Sequence, residues 1–294
     1  MTRIVQSLAE IAAPYEALLV DLWGCLHNGR QAFPEALAAL KSYRETGGAV
    51  ILLTNAPRPA GPVRRQLDRL GVPAALYDAI VTSGEAAQAA LVAGAVGSRV
   101  WHLGPDKDEP FFTELAPDLV VETPVERVSL DEAEGIVCTG LFDDLTETPD
   151  DYRAQLLLGK TRGLPMLCAN PDIAVDLGDR RIFCGGALGQ LYAEMGGEVL
   201  YFGKPHPPIY DLARRRLAAL RGDDIPDSAV LATGDGIGTD IQGGVGEGFD
   251  TLFITGGLAA AEFGDDPANP DPARLEAWLA KRQLSPSYAI GQLR

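Results

Sequence analysis

A short apolar run, Leu18-Leu19-Val20, leads directly into Asp21 and is then broken by Gly24 and Gly29. A run without alternation is what a strand buried on both faces of a parallel sheet requires. The pattern recurs: residues 49–53 end in Thr54-Asn55, residues 198–202 deliver Gly203-Lys204-Pro205, and residues 229–233 end in Gly234-Asp235. Helical stretches lie between them. The first, 36–45, opens behind Pro34 and stops at Gly47-Gly48, and others span 62–70, 187–195, 207–220 and 273–282. Strands alternating with helices predict a parallel α/β sheet, extended by strands at 79–82, 250–254 and 288–290. In such a sheet the crevice at the carboxyl ends of the strands takes the ligand. Asp21 either faces that crevice or caps a turn, as Asp commonly does, and this stretch alone leaves both open.

Between 83 and 183 the elements shorten and acidic residues cluster at 106–109, 122–134 and 143–151. Strand candidates at 99–103, 119–121, 135–139 and 166–169 make this segment a smaller α/β unit, with the acidic runs on a solvated face. The expected organisation is a main domain of residues 1–82 and 184–294 with a second domain, 83–183, inserted into it. Asn170-Pro171-Asp172 follows the last of these strands, as a plain turn or as a turn back toward the main sheet.

Acidic residues outnumber basic ones by 41 to 25, giving a net charge of -16 over 294 residues. That balance argues against a nucleic-acid backbone or an anionic membrane surface as the main partner. An anionic ligand must then be captured locally, by backbone N–H groups, one or two placed cations, or a divalent metal held by carboxylates. Cys25, Cys138, Cys168 and Cys184 show no metal-ligand spacing and read as buried free thiols in a reducing cytosol. Residues 1–19 carry Glu10 and Glu16 and lack the pattern of a signal peptide, and no apolar run approaches the ~20 residues of a membrane span. The expectation is a soluble, cytoplasmic protein.

If the strands are parallel, Asp21, Thr54-Asn55, Lys204 and Asp235 converge on one crevice. Two carboxylates there repel unless a cation lies between them, and a hard divalent ion such as Mg2+ meets that need. A lysine and a hydroxyl beside it suit a phosphoryl group. A carboxylate can also attack phosphorus and split transfer to water into two easier steps.

In this order, Asp21, Thr54, Lys204 and Gly234-Asp235 with Thr239-Asp240 resemble the four motifs of the haloacid dehalogenase (HAD) superfamily of phosphatases and phosphotransferases. The insertion between the second and third motifs, with Asn170-Pro171-Asp172 and Gly203-Lys204-Pro205, is similar to its class IIA branch, which includes NagD-like nucleotide and sugar phosphatases and p-nitrophenyl phosphatases. The resemblance spans nearly the whole chain. It implies a Rossmann-like parallel-sheet core with an inserted smaller α/β cap domain of the class IIA type, Mg2+, and hydrolysis of a small phosphorylated metabolite (sugar phosphate, nucleotide or similar) through an aspartyl phosphate. Dimerisation through the cap is a further implication.

Carried over residue by residue, Asp21 would be nucleophile and metal ligand, and Thr54 with Asn55 would hold the transferring phosphoryl group. Lys204 would neutralise the nucleophile and the phosphate. Asp235 would bind Mg2+, and Asp240 would orient Lys204 or a metal-bound water. Asn170 and Asp172 would lie at the cap-to-core junction near the site. One residue departs from the pattern: the family's second aspartate, two residues after the nucleophile, is Trp23 here. Its carbonyl can still bind metal and its ring can stack on substrate, but an indole N–H is no acid or base. Loss of positioned acid–base catalysis is worth roughly 10²–10⁴-fold. His27 is the nearest titratable candidate to replace it, and a hydrogen-bonded turn histidine is the alternative; His102 and His206 show no partner. Besides a phosphatase, the departure leaves open a catalytically weakened phosphate-binding regulator, or a HAD phosphotransferase or phosphonate-type enzyme.

Overall fold

A computed structural model of the chain describes residues 2–117, 119–121, 123–177 and 180–294. Among these, seven parallel strands form the main sheet, in the order Arg3–Ile4, Tyr288–Ile290, Asp250–Ile254, Val230–Gly234, Ala17–Val20, Ala49–Thr54 and Ala79–Thr82. Every residue of Ala17–Val20 is buried, because helices cover both faces of the sheet. Leu18 and Val20 pack with Leu40, Tyr43 and Val63 of the helices Pro34–Glu45 and Ala60–Arg69. Ala17 and Leu19 pack on the other side with Ile209, Ala213 and Leu217 of the helix Pro207–Arg221. The continuous apolar run is thus an alternation between two cores.

Ala17–Val20 has its sequence successor, Ala49–Thr54, on one flank and a strand from the far end of the chain on the other. Such a reversal of strand order opens a crevice at the carboxyl ends. Register fixes what reaches it: Val20 stands opposite both Thr233 and Leu52. Asp21, Asp235 and Thr54 therefore emerge together at that edge.

A second, smaller sheet has five parallel strands, Val199–Tyr201, Met166–Cys168, Gly135–Cys138, Arg99–Leu103 and Glu126–Arg127. This arrangement corrects the boundary expected at 183. The helix Gly185–Glu194 packs Leu188, Leu191 and Tyr192 against Leu103, Ile136 and Met166, and the strand after it joins the smaller sheet. An apolar helical face does not say which sheet will cover it, and here the smaller one does. Lys204 accordingly arrives from the edge of the smaller sheet, not from a strand of the main one. The strand expected at 119–121 does not form: Val120 is exposed, and Glu126–Arg127 pairs with Arg99–Val100 instead. Glu122 of the acidic run lies outside the described residues. An antiparallel hairpin, Ala174–Leu177 with Arg180–Phe183, was not expected; Asp176, Arg180 and Arg181 hide its alternation.

The two sheets are joined tightly where the chain crosses. The single proton of the Ser83 hydroxyl is shared between the carbonyls of Ala169 and Ala56, 2.5 and 3.0 Å from Oγ. At the return crossing, a Cβ on Gly203 would stand 2.3 Å from Asn55 Oδ1 and 2.8 Å from Ser83 Cβ, so only glycine allows that approach. All four cysteines are buried free thiols, as expected. Among the described residues no helix is long and apolar enough to cross a membrane.

The packing of Gly185–Glu194 makes a testable statement. Leu188 is fully buried against the smaller sheet, so Leu188→Ala is expected to cost about 2–5 kcal/mol. Amide hydrogen exchange should speed up in Gly135–Cys138 while Val230–Gly234 keeps its protection. Faster exchange in the main sheet alone would restore the earlier boundary.

Candidate active site

Lys204 is the centre of the crevice. Its side chain is buried, and its ammonium donates to Asp21 Oδ1 at 2.6 Å, Asp240 Oδ1 at 2.6 Å and the Leu53 carbonyl at 3.0 Å, which uses all three protons. Two flanking carboxylates hold the amine well above its ordinary pKa against the opposing effect of burial. Asn55 anchors the segment that delivers it. Its Oδ1 accepts from Lys204 N at 2.7 Å, and its Nδ2 donates to Lys204 O at 3.0 Å and to Asp172 Oδ1 at 2.8 Å. Both ends of that side-chain amide are therefore occupied in positioning Lys204 and Asp172. Asp240 Oδ1 accepts from the Lys204 ammonium, while its Oδ2 accepts from the Gly236 N–H at 3.1 Å.

Asp235 stands beside Asp21. Asp21 donates its backbone N–H to the Thr233 carbonyl, and Asp235 Oδ2 accepts from the Leu258 N–H at 2.9 Å. Gly24 makes the close approach of its loop possible: at φ +76° its missing Cβ would lie 2.0 Å from Asp235 Oδ2. The Gly257-Leu258 contribution was not foreseen, although Gly256-Gly257 follows the strand Asp250–Ile254 much as Gly24 follows Ala17–Val20. Burial is the main force pushing the Asp21 carboxyl up to about 7, opposed by Lys204 and reinforced by Asp240 and Asp172. Asp235 is driven well above the usual carboxylate range by burial, then by Asp21 and Asp240.

Asp21 and Asp240 thus share one ammonium in a water-poor site with Asp235 beside them, a surplus of carboxylates that a cation would balance. Ligand atoms of Asp21, Asp235 and Cys25 lie within 4.8 Å of one another. The two carboxylates are hard oxygen donors fit for a divalent cation. Cys25 is a poorer donor, since burial and the neighbouring carboxylates keep its thiol protonated.

Beside these groups lie two neighbouring cavities that share the lining residues Trp23, Thr54, Asp172 and Val175. A cavity of about 170 Å³ is bordered by Asp21, Thr54, Lys204, Asp235 and Asp240. A larger one of about 360 Å³ extends beneath the cap and is bordered by Asn55, Asn170, Thr139 and Phe183. Trp23 borders both, its ring set edge-on to His27 at 5.3 Å. Asn170 touches only the larger compartment, and its Oδ1 accepts from the Asp172 N–H at 3.1 Å. His27 is buried and neutral: desolvation lowers its pKa to about 4, and Nδ1 accepts from the Gly29 N–H at 3.0 Å. It is the hydrogen-bonded turn histidine, not a replacement acid. His102 pairs with Thr139 Oγ1 at 2.9 Å, and His206 stacks on Tyr201 at 5.1 Å.

Comparison with known proteins agrees with this geometry. Residues 18–116 match the haloacid dehalogenase-like hydrolase family, and residues 201–275 match a second HAD-hydrolase-like family. The D-glycerol 3-phosphate phosphatase of Mycobacterium tuberculosis is 30% identical over 92% of this chain and 71% of its own. The 5'-nucleotidase YutF of Bacillus subtilis is 26% identical over 90% of this chain and 98% of its own. Among solved structures, a haloacid dehalogenase-like hydrolase from Brucella suis superposes with a TM-score of 0.83 at 38% identity, covering 99% of this chain and 100% of that one. A glycerol phosphate phosphatase from Mycobacterium tuberculosis, solved in complex with magnesium, superposes with a TM-score of 0.64 at 25% identity, over 97% of this chain and 77% of that one. The chain belongs to the haloacid dehalogenase-like hydrolases, as a phosphoric-monoester hydrolase of the NagD-like and p-nitrophenyl phosphatase-like kind.

Proposed function

We propose that the chain is a Mg2+-dependent phosphatase that hydrolyses a small phosphorylated metabolite through an aspartyl phosphate on Asp21. The observation that carries this is the Lys204 ammonium shared by Asp21 and Asp240 at 2.6 Å each, with Asp235 close beside it. Asp21 and Asp235, with the Trp23 carbonyl, would hold the divalent cation, which when bound neutralises phosphate oxygens. Asp21 follows the buried strand Ala17–Val20 and is held by Lys204 through Oδ1, so its second carboxylate oxygen would serve as the nucleophile toward phosphorus. Lys204 and the Thr54 hydroxyl face the same small compartment and stabilise charge on the transferring phosphoryl group. Trp23 stands where the leaving group would emerge and offers it an aromatic wall.

The direct test is phosphate release from a panel of metabolite phosphates and p-nitrophenyl phosphate, with and without Mg2+. Activity is expected to require the metal, and Asp21→Asn to lower it on the order of 10³-fold or more with the fold intact. Hydrolysis by Asp21→Asn at the wild-type rate would sink the assignment. Asp235→Asn should weaken Mg2+ binding, read by titration calorimetry, by at least about tenfold, equivalent to ~1.4 kcal/mol. Unchanged affinity would move the metal elsewhere.

A further inference from the structure

The scissile P–O bond has to span the two compartments, with phosphorus beside Asp21 and the leaving group beneath the cap. Its bridging oxygen then lies at the waist where they join. The residues that border both cavities are Trp23, Thr54, Asp172 and Val175. Asp172 alone of these is a side-chain acid. We propose that Asp172, on the cap segment after Met166–Cys168 that meets Asn55 of the core, is the general acid and base of the reaction, in the role that Trp23 cannot fill. This rests on the phosphatase reading above.

The geometry around Asp172 suits the role. Oδ1 is held by Asn55 Nδ2 at 2.8 Å, which leaves Oδ2 to face substrate. Burial raises its pKa above the ordinary carboxylate value, and Asp240 adds to this, while Lys204 and the Asn55 hydrogen bond oppose it. Other acids fit less well. Asp108 borders only the larger compartment and is tied to Arg58 at 3.5 Å, and Asp176, at the mouth of the smaller one, is paired with Arg181.

In the first step Asp21 forms a bond to phosphorus as the bond to the leaving oxygen breaks, and the Asp172 carboxyl gives that oxygen its proton. In the second, water attacks phosphorus and passes a proton to the Asp172 carboxylate. The Asp21–phosphorus bond breaks, releasing orthophosphate and restoring both residues.

The test compares leaving groups of different basicity. Asp172→Asn keeps an acceptor for Asn55 but has no proton to give. It should slow cleavage of glycerol 3-phosphate, whose alkoxide must be protonated, by about 10²–10⁴-fold. The pre-steady-state burst of p-nitrophenolate from p-nitrophenyl phosphate should fall far less, and Asp172→Glu should recover part of the loss on the alkyl ester. Equal losses on both substrates, no loss on either, or a wild type that cleaves only p-nitrophenyl phosphate would each overturn the role of Asp172. Those results leave the phosphatase reading intact so long as Asp21→Asn is inactive; an active Asp21→Asn protein would remove both.

Discussion

The site depends on one buried ammonium. Lys204 holds Asp21 and Asp240 together at 2.6 Å each, and removing a single partner from such a pair costs about 3–5 kcal/mol, because the other charge is left without compensation. The arrangement is not an optimum for stability. With Asp235 beside the pair, three carboxylates face one ammonium, and such an imbalance suits a divalent cation.

That ammonium is also where the two sheets meet. Lys204 follows a strand of the smaller sheet, while the carboxylates it holds lie at the end of Ala17–Val20 and in the helical turn Ile237–Ile241 after Val230–Gly234. Asn55 ties both junction segments to the end of the strand Ala49–Thr54, through Lys204 N, Lys204 O and Asp172 Oδ1. Cap and catalytic edge are therefore set by the same few hydrogen bonds. A shift of the cap would reach Lys204 before it reached any residue deeper in the main sheet.

The parallel main sheet is readable because its strands are apolar at nearly every position and end in polar residues, and Ala17–Val20 is buried throughout with Asp21 at its tip. Asp21 and Asp235 stand out for the same reason, each directly after an apolar main-sheet strand, whereas Lys204 follows a strand of the smaller sheet. What cannot be read is assignment between layers. The helix Gly185–Glu194 is equally apolar whichever sheet covers it, so the expected boundary falls in the wrong place. Short strands carry too little pattern: Glu126–Arg127 is wholly charged and exposed, yet pairs with Arg99–Val100. Asn55 looks like a phosphate ligand because an amide beside a threonine at a sheet edge commonly has a ligand to face. Only the return of the chain at Lys204 shows that both ends of that amide are already occupied.

Trp23 illustrates the same limit at the level of chemistry. Its identity says that no acid stands two residues after Asp21, but not whether the leaving oxygen lacks one. The indole lies edge-on to His27 and borders both compartments, as Asp172 does. Proton transfer constrains where a proton must be, not which segment delivers it, and a cap that crosses to the core beside the nucleophile can bring its own carboxyl group to that position.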